Sequence, residues 1–106
     1  MKKRNIFDIE DSRSDTEEVF EDLVRKSGLL IERIISTGQA TPEDEWYDQE
    51  QDEWVILLQG KSVLEFENKE QLTLGKGDWI FIPAHLRHRV AFTSTNPECI
   101  WLAVHH

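Results

Sequence analysis

From Leu29 onward, the sequence consists of short apolar runs separated by polar turn residues. The runs are rich in β-branched and aromatic side chains, and Gly, Pro or Asn residues break them at near-regular intervals. Strands are predicted over Leu29–Ser36, Glu53–Gln59, Ser62–Glu67, Gln71–Leu74, Asp78–Ile82, Arg87–Thr93 and Ile100–Val104. Many short strands without intervening helices favour an all-β sandwich or small barrel.

The first 28 residues follow a different pattern. Acidic residues precede and basic residues follow a group of apolar residues at helical spacing, which matches the helix dipole. The apolar group is Val19, Phe20, Leu23 and Val24. Ser14 lies three positions before Glu17, as in a capping box, and Gly28 is suited to a helix end. We therefore predict an N-terminal extension over residues 1–28, with a short amphipathic helix in Glu17–Lys26, and a β-barrel domain over residues 29–106.

Several predicted strands are apolar on both of their faces, among them Glu53–Gln59 and the strand with Trp79 and Phe81 opposite Ile80 and Ile82. A sheet that buries only one face alternates apolar and polar residues. In Glu53–Gln59, by contrast, one face carries Trp54, Ile56 and Leu58, and the other carries Val55 and Leu57. The N-terminal helix, a second sheet or another subunit must cover the additional face. A homodimer is therefore one hypothesis.

Composition limits the function classes. The chain has 106 residues, which suits one domain, and a formal net charge of −9. Nucleic-acid binding requires clustered Lys and Arg, so this acidic chain is a poor candidate for it. No apolar run approaches the ~20 residues of a membrane span. The basic first residues are not followed by the apolar stretch of a secretory signal. Cys99 is the single cysteine, which excludes an internal disulfide and suits a cytoplasmic protein.

Two spacings in the β-rich region point to a known family. Glu53 is followed by six residues and then Gly60; Gly77 is followed by five residues and then Pro83, with His88 five positions later. These spacings resemble the two signature motifs of the cupin family, Gly-x5-His-x-His-x3,4-Glu-x6-Gly and Gly-x5-Pro-x-Gly-x2-His-x3-Asn. The resemblance implies a small single-domain jelly-roll barrel, also called a double-stranded β-helix.

The match to the cupin motifs, which covers roughly residues 36–104, is incomplete where the family binds metal. Tyr47 and Gln49 stand where the first motif has its two histidines. The metal set implied by the resemblance is therefore Glu53, His88, Gln49 and Tyr47, of which the first two match the motifs. The implied cofactor is a divalent transition metal, namely Zn, Fe, Mn or Ni. Imidazole nitrogens supply much of the affinity for such ions, so a metal-free interior is the alternative.

Strand parity supports the same site independently. Glu53 and His88 each share the parity of apolar residues on their own strand, so both would project into a barrel. A buried carboxylate must be ion-paired, hydrogen-bonded, metal-bound or neutral. Two simpler interpretations remain. Glu53 could pair with Arg87 or Arg89, and His88 could be a hydrogen-bonded core histidine.

Three functions are consistent with the sequence. The first is a small-molecule-binding cupin with a site inside the barrel. The second is a metal-dependent enzyme, a dioxygenase or an isomerase, in which Tyr47 could supply a proton. The third is a metal-free dimeric interaction module with a collapsed interior. Whether the protein is an enzyme stays open, because one fold hosts many functions. His105 and His106 are expected to lie free in solvent.

Overall fold

The computed structural model describes all 106 residues and contains strands but no helix. The chain accordingly has no helix long and apolar enough to span a membrane. The strands are β1 Val19–Lys26, β2 Leu29–Ser36, β3 Glu53–Gln59, β4 Ser62–Phe66, β5 Gln71–Leu74, β6 Trp79–Ile82, β7 His88–Thr93 and β8 Cys99–His105. The seven strands predicted from the sequence agree with β2–β8 to within one residue at each end.

Two antiparallel sheets form the protein. One has five strands in the order β1-β2-β8-β3-β6, and the other has three in the order β5-β4-β7. The main core contains residues from both sheets: Val55, Leu57, Leu64, Phe66, Leu74, Ile82, Cys99, Trp101 and Ala103. Side chains along each strand alternate between the two faces of the sheet, so each strand buries one row of side chains in the core. The all-β jelly-roll prediction is confirmed.

The predicted N-terminal helix is wrong, because Glu17–Lys26 lies almost entirely in strand β1. This strand pairs antiparallel with β2, and a register shift between Asp22 and Val24 accommodates the spacing that suggested a helix. Ser27 and Gly28 lie between β1 and β2, with Gly28 at φ +76°, which glycine adopts at little steric cost. Gly28 therefore turns a hairpin instead of ending a helix. An isolated helix of ten residues is only marginally stable in water, and this segment gains more stability by pairing with β2.

The segment before β1 covers the outer face of β2 and β8. Ile9 packs against Ile35 and Ile100 in a second, smaller apolar cluster. The guanidinium of Arg33 donates a hydrogen bond to the backbone carbonyl of Ile6, at 3.0 Å. The segment before β1 thus covers part of the outer apolar face of the large sheet, and it does so without forming a helix. The predicted boundary at residue 28, between an N-terminal extension and a β-barrel domain, stays a prediction.

The outer face at the other end of the large sheet is open. Strand β6 lies at the edge of that sheet, and its Trp79 and Phe81 side chains are 57% and 48% exposed. Trp54 of the neighbouring β3 lies against Trp79, with ring centroids 5.7 Å apart. This surface is an exposed apolar patch on a strand whose outer hydrogen-bonding edge is free.

Candidate functional site

A cavity of about 80 Å³ lies between the two sheets, at the end where β3 and β7 begin. All four site residues predicted from the sequence line it, together with three polar residues that the sequence analysis did not select. The polar lining is Glu18, Glu32, Tyr47, Gln49, Glu53, His88 and His105. Apolar residues, among them Val55, Leu64 and Trp101, form the remaining wall. Glu53 and His88 thus line the same cavity, and their role as a site stays a prediction.

Glu53 is the first residue of β3 and is only 7% exposed. Its neighbours across the sheet are Ile82 of β6 and His105 of β8. Its carboxylate makes no hydrogen bond or ion pair with any other side chain, and it borders the cavity. The carboxylate oxygens of Glu53 are open to the cavity, because the one fully buried side-chain atom of the chain that lacks a hydrogen-bond partner is Nε of Arg89.

The two arginines considered as partners of Glu53 pair elsewhere. Arg87 forms an ion pair with Glu67 at 2.8 Å. Arg89 lies 3.4 Å from the carboxylate of Glu65. Neither arginine lines the cavity. The structure therefore shows no ion pair between Glu53 and either Arg87 or Arg89.

His88 begins β7, on the sheet opposite Glu53, and is 5% exposed. Its Nδ1 lies 2.9 Å from the carbonyl oxygen of Leu86. Because a carbonyl can only accept, Nδ1 carries the hydrogen, and in the neutral ring Nε2 keeps its lone pair for a ligand. The rings of Tyr47 and Phe66 lie 5.6 and 6.3 Å from the His88 ring and fix its orientation.

Tyr47 and Gln49 reach the cavity because their loop is bound to the start of β7. The backbone N–H of Tyr47 donates to the carbonyl of His88 at 2.7 Å, and the N–H of His88 donates back at 3.2 Å. The carbonyl of Gln49 accepts a bond from the N–H of His85 at 2.8 Å. Burial, with a further contribution from the carboxylate of Glu18, raises the pKa of the Tyr47 phenol. Tyr47 therefore keeps its proton, which disfavours its use as a phenolate ligand.

His105 was expected to lie free in solvent, and this is wrong. It ends β8, where its Nε2 lies 2.8 Å from the carboxylate of Glu32, and both side chains are largely buried. The hydrogen bond to Glu32 raises the pKa of His105, although burial opposes it. A signal was present in the sequence, because residue 105 shares the inward parity of Trp101 and Ala103 on the same strand.

Glu18 enters the site through a chain of hydrogen bonds. The indole N–H of Trp101 donates to the hydroxyl of Ser36 at 3.2 Å, and that hydroxyl donates to the carboxylate of Glu18. Burial raises the pKa of Glu18, the bond from Ser36 lowers it, and the nearby carboxylate of Glu32 raises it. Three carboxylates thus surround the cavity, and no Lys or Arg lines it.

The comparison with protein families decides the identity. The cupin domain model matches residues 33–105, which contain every strand from β3 to β8 and half of β2. The chain belongs to the cupin family. This match confirms the resemblance inferred from the Glu53 and His88 spacings. The search of curated proteins gives no match.

Solved structures similar to this cupin share its fold. A crystal structure from Ralstonia eutropha JMP134, described as that of "a putative mannose-6-phosphate isomerase", is 44% identical; the match has a TM-score of 0.90 and covers 99% of this chain and 97% of that one. A cupin superfamily protein from Desulfitobacterium hafniense DCB-2 is 18% identical, with a TM-score of 0.75 and coverages of 89% and 81%. Fe(II) HppE is also 18% identical, with a TM-score of 0.70 and coverages of 84% and 50%.

The donors of this cupin do not fit a tightly held transition metal. The chain has no group of three or more His, Cys, Asp or Glu side chains arranged to hold an ion. Glu53 and His88 remain from the family's metal set, Gln49 offers a weak amide oxygen, and Tyr47 keeps its proton. His105 is already bound to a carboxylate at its Nε2. Glu18 and Glu32 are likewise engaged, by Ser36 and His105. The two strong donors that remain free are fewer than the three or four protein ligands of typical zinc sites.

Proposed function

We propose that this cupin binds a small molecule in the cavity between Glu53 and His88 and does so without a resident transition metal. The observation that carries the proposal is the carboxylate of Glu53, which is 7% exposed and has no partner in the protein. Its oxygens face the cavity and accept no hydrogen bond from another side chain. A ligand that donates a hydrogen bond can therefore bind Glu53 without displacing a protein partner.

The activity named for the Ralstonia eutropha protein suits this cavity poorly. Mannose 6-phosphate is an anion, and its recognition requires cationic or N–H donor groups around the phosphate. The cavity instead presents Glu18, Glu32 and Glu53, with no Lys or Arg. We therefore do not extend that activity to this chain.

A metal-dependent dioxygenase or isomerase is the weaker candidate for this chain. Such an enzyme would have to hold its Zn, Fe, Mn or Ni ion with Glu53 and His88 as the only strong donors. The incomplete donor set supports a binding function over a metal-dependent reaction.

The proposal includes a cytoplasmic, homodimeric protein. The single cysteine, Cys99, is free and fully buried, which suits a reducing compartment. The exposed Trp79 and Phe81 side chains on the edge strand β6 support a second copy as the cover of that face. The interior cavity argues against a collapsed barrel that serves only for dimerisation.

Elemental analysis combined with NMR tests the proposed function. We expect the purified protein to contain far less than one transition-metal ion per chain. We also expect members of a fragment library of amines, alcohols and carboxylates to shift the ring signals of His88. Glu53→Gln should weaken these shifts, whereas Glu70→Gln, the same charge change in an exposed turn, should not. A stoichiometric metal that is lost on Glu53→Ala, or a library with no hits, would contradict the proposal.

A further inference from the structure

The hydrogen-bonding atoms left free in the interior cavity are mainly acceptors. The N–H donors of Trp101 and His88 are already engaged, with Ser36 and with the Leu86 carbonyl. His105 uses its Nε2 on the carboxylate of Glu32. The Gln49 amide and the Tyr47 hydroxyl can each donate or accept, and the other free groups are carboxylate oxygens and ring nitrogens of His88 and His105. Acceptors are thus in excess, and a ligand that donates hydrogen bonds matches this cavity best.

Charge selects among ligands that donate. Three carboxylates line the space, but Glu32 is paired with His105 and burial raises the pKa of Glu18, so the negative charge rests mainly on Glu53. Carboxylates within an apolar wall focus a negative potential on the enclosed volume. Glu53 gives this potential a fixed position, because the residue is 7% exposed while its carboxylate oxygens open onto the cavity and make no side-chain hydrogen bond. A cation gains from this field, a neutral molecule gains less and an anion is repelled.

A second pocket adjoins the interior cavity and offers room for the rest of a ligand. Its volume is about 430 Å³, and it is more open to solvent. It shares Glu18, Tyr47 and Val90 with the interior cavity, so these residues form a common wall. Trp46 and Glu45 line this second pocket but not the interior cavity. An indole face beside carboxylates attracts a cation and also packs against a short hydrocarbon chain.

We infer that the ligand is a primary amine, whose ammonium group binds Glu53 and the free ring nitrogen of His88 while its body extends past Tyr47 to Trp46. The three N–H donors of an ammonium group match the acceptors of the cavity. A quaternary ammonium group lacks these donors. The inference rests on the proposed function, since it assigns a chemical class to the ligand of the same cavity.

Calorimetric titration with three probes of equal length tests the inference. We expect n-butylamine to bind, n-butanol to bind at least about tenfold more weakly, and butyrate not to bind, because a charge-assisted hydrogen bond is about twice as strong as a neutral one. Glu53→Gln should weaken n-butylamine binding at least about tenfold, and Glu70→Gln should leave it unchanged. Trp46→Ala should weaken n-butylamine more than methylamine, which is too short to reach the outer pocket.

The outcomes separate this inference from the proposed function. Equal affinity for n-butanol and n-butylamine would overturn the assignment of a cation but leave a small-molecule site in place. Absence of binding by all three probes, with no fragment shifting the His88 signals, would overturn both. Displacement of n-butylamine by one Zn²⁺ or Mn²⁺ per chain would overturn both in favour of a metal site. The comparison of probes uses the wild-type protein, so it does not depend on the folding of any variant.

Discussion

Replacing Glu53 by methionine should stabilise this cupin. The side chain is 7% exposed, borders the cavity and has no hydrogen-bond partner in the protein. Methionine has a similar length, adapts to irregular space and has no charge to desolvate. Selection for stability alone would not place a carboxylate at this position. The increase in the free energy of unfolding on Glu53→Met therefore measures the stability that the protein loses by keeping the binding site.

The magnitude follows from the surroundings of the carboxylate. An unsatisfied buried polar group costs about 1–3 kcal/mol, with larger values for charged groups, and the opening of the Glu53 oxygens onto the cavity keeps the cost at the lower end. The attraction between Glu53 and His105, which contributes to the raised pKa of His105, offsets part of this cost. We therefore expect the free energy of unfolding to rise by about 1–2 kcal/mol. For a domain of this size, each kcal/mol raises Tm by roughly 4–8 °C.

Glu32→Met provides the matched control, since Glu32 lines the same cavity but is bound to His105 at 2.8 Å. Its loss leaves a buried imidazole without its partner and should lower the free energy of unfolding by about 1–3 kcal/mol. Urea unfolding and calorimetry at neutral pH measure both variants. If Glu53→Met is destabilised like Glu32→Met, then Glu53 has a partner in the protein, and the reasoning behind the site is wrong.

Three further predictions concern the pair at the cavity, the core and the outer face. The folded pKa of His105 is raised above its usual 6.5, so its pairing with Glu32 stabilises the fold fully below that pH and loses this contribution as the pH rises through the folded pKa. The difference in unfolding free energy between wild type and His105→Gln should therefore be largest at about pH 5–6.5 and shrink at alkaline pH; a difference that grows with pH would show the opposite sign. Leu57→Ala, at a fully buried core position, should cost about 2–5 kcal/mol in urea unfolding, and a smaller cost would indicate a loosely packed core. Trp79→Glu should convert a dimer to a monomer in light scattering, and a wild-type protein that is monomeric at micromolar concentration would contradict the dimer.

The strands from β2 onward could be predicted because their signals are local. Each consists of a short apolar run that ends at a residue unsuited to a strand interior, such as Gly60 or Pro83. Strand β1 could not be predicted in this way. Its apolar spacing fits a helix in isolation, and it becomes a strand only because the Ser27–Gly28 turn brings it alongside β2.

The candidate site could be predicted only where a motif or strand parity marked it. Glu53 and His88 were found because their spacings match the cupin motifs and their neighbours on the strand are apolar. Glu18, Glu32 and His105 belong to three strands or strand ends, and the sheet order alone brings them together. Each is a single polar residue at an inward-facing position, a signal that is informative only once the inward face is known.

A crystal structure of the protein with n-butylamine bound tests the central claim most directly. The account predicts that the side chains of Glu53 and His88 face one cavity, with the ammonium nitrogen within hydrogen-bond distance of the Glu53 carboxylate and the butyl chain directed towards Trp46. A spherical metal ion bound by Glu53 and His88, or either side chain turned outward into solvent, would contradict it.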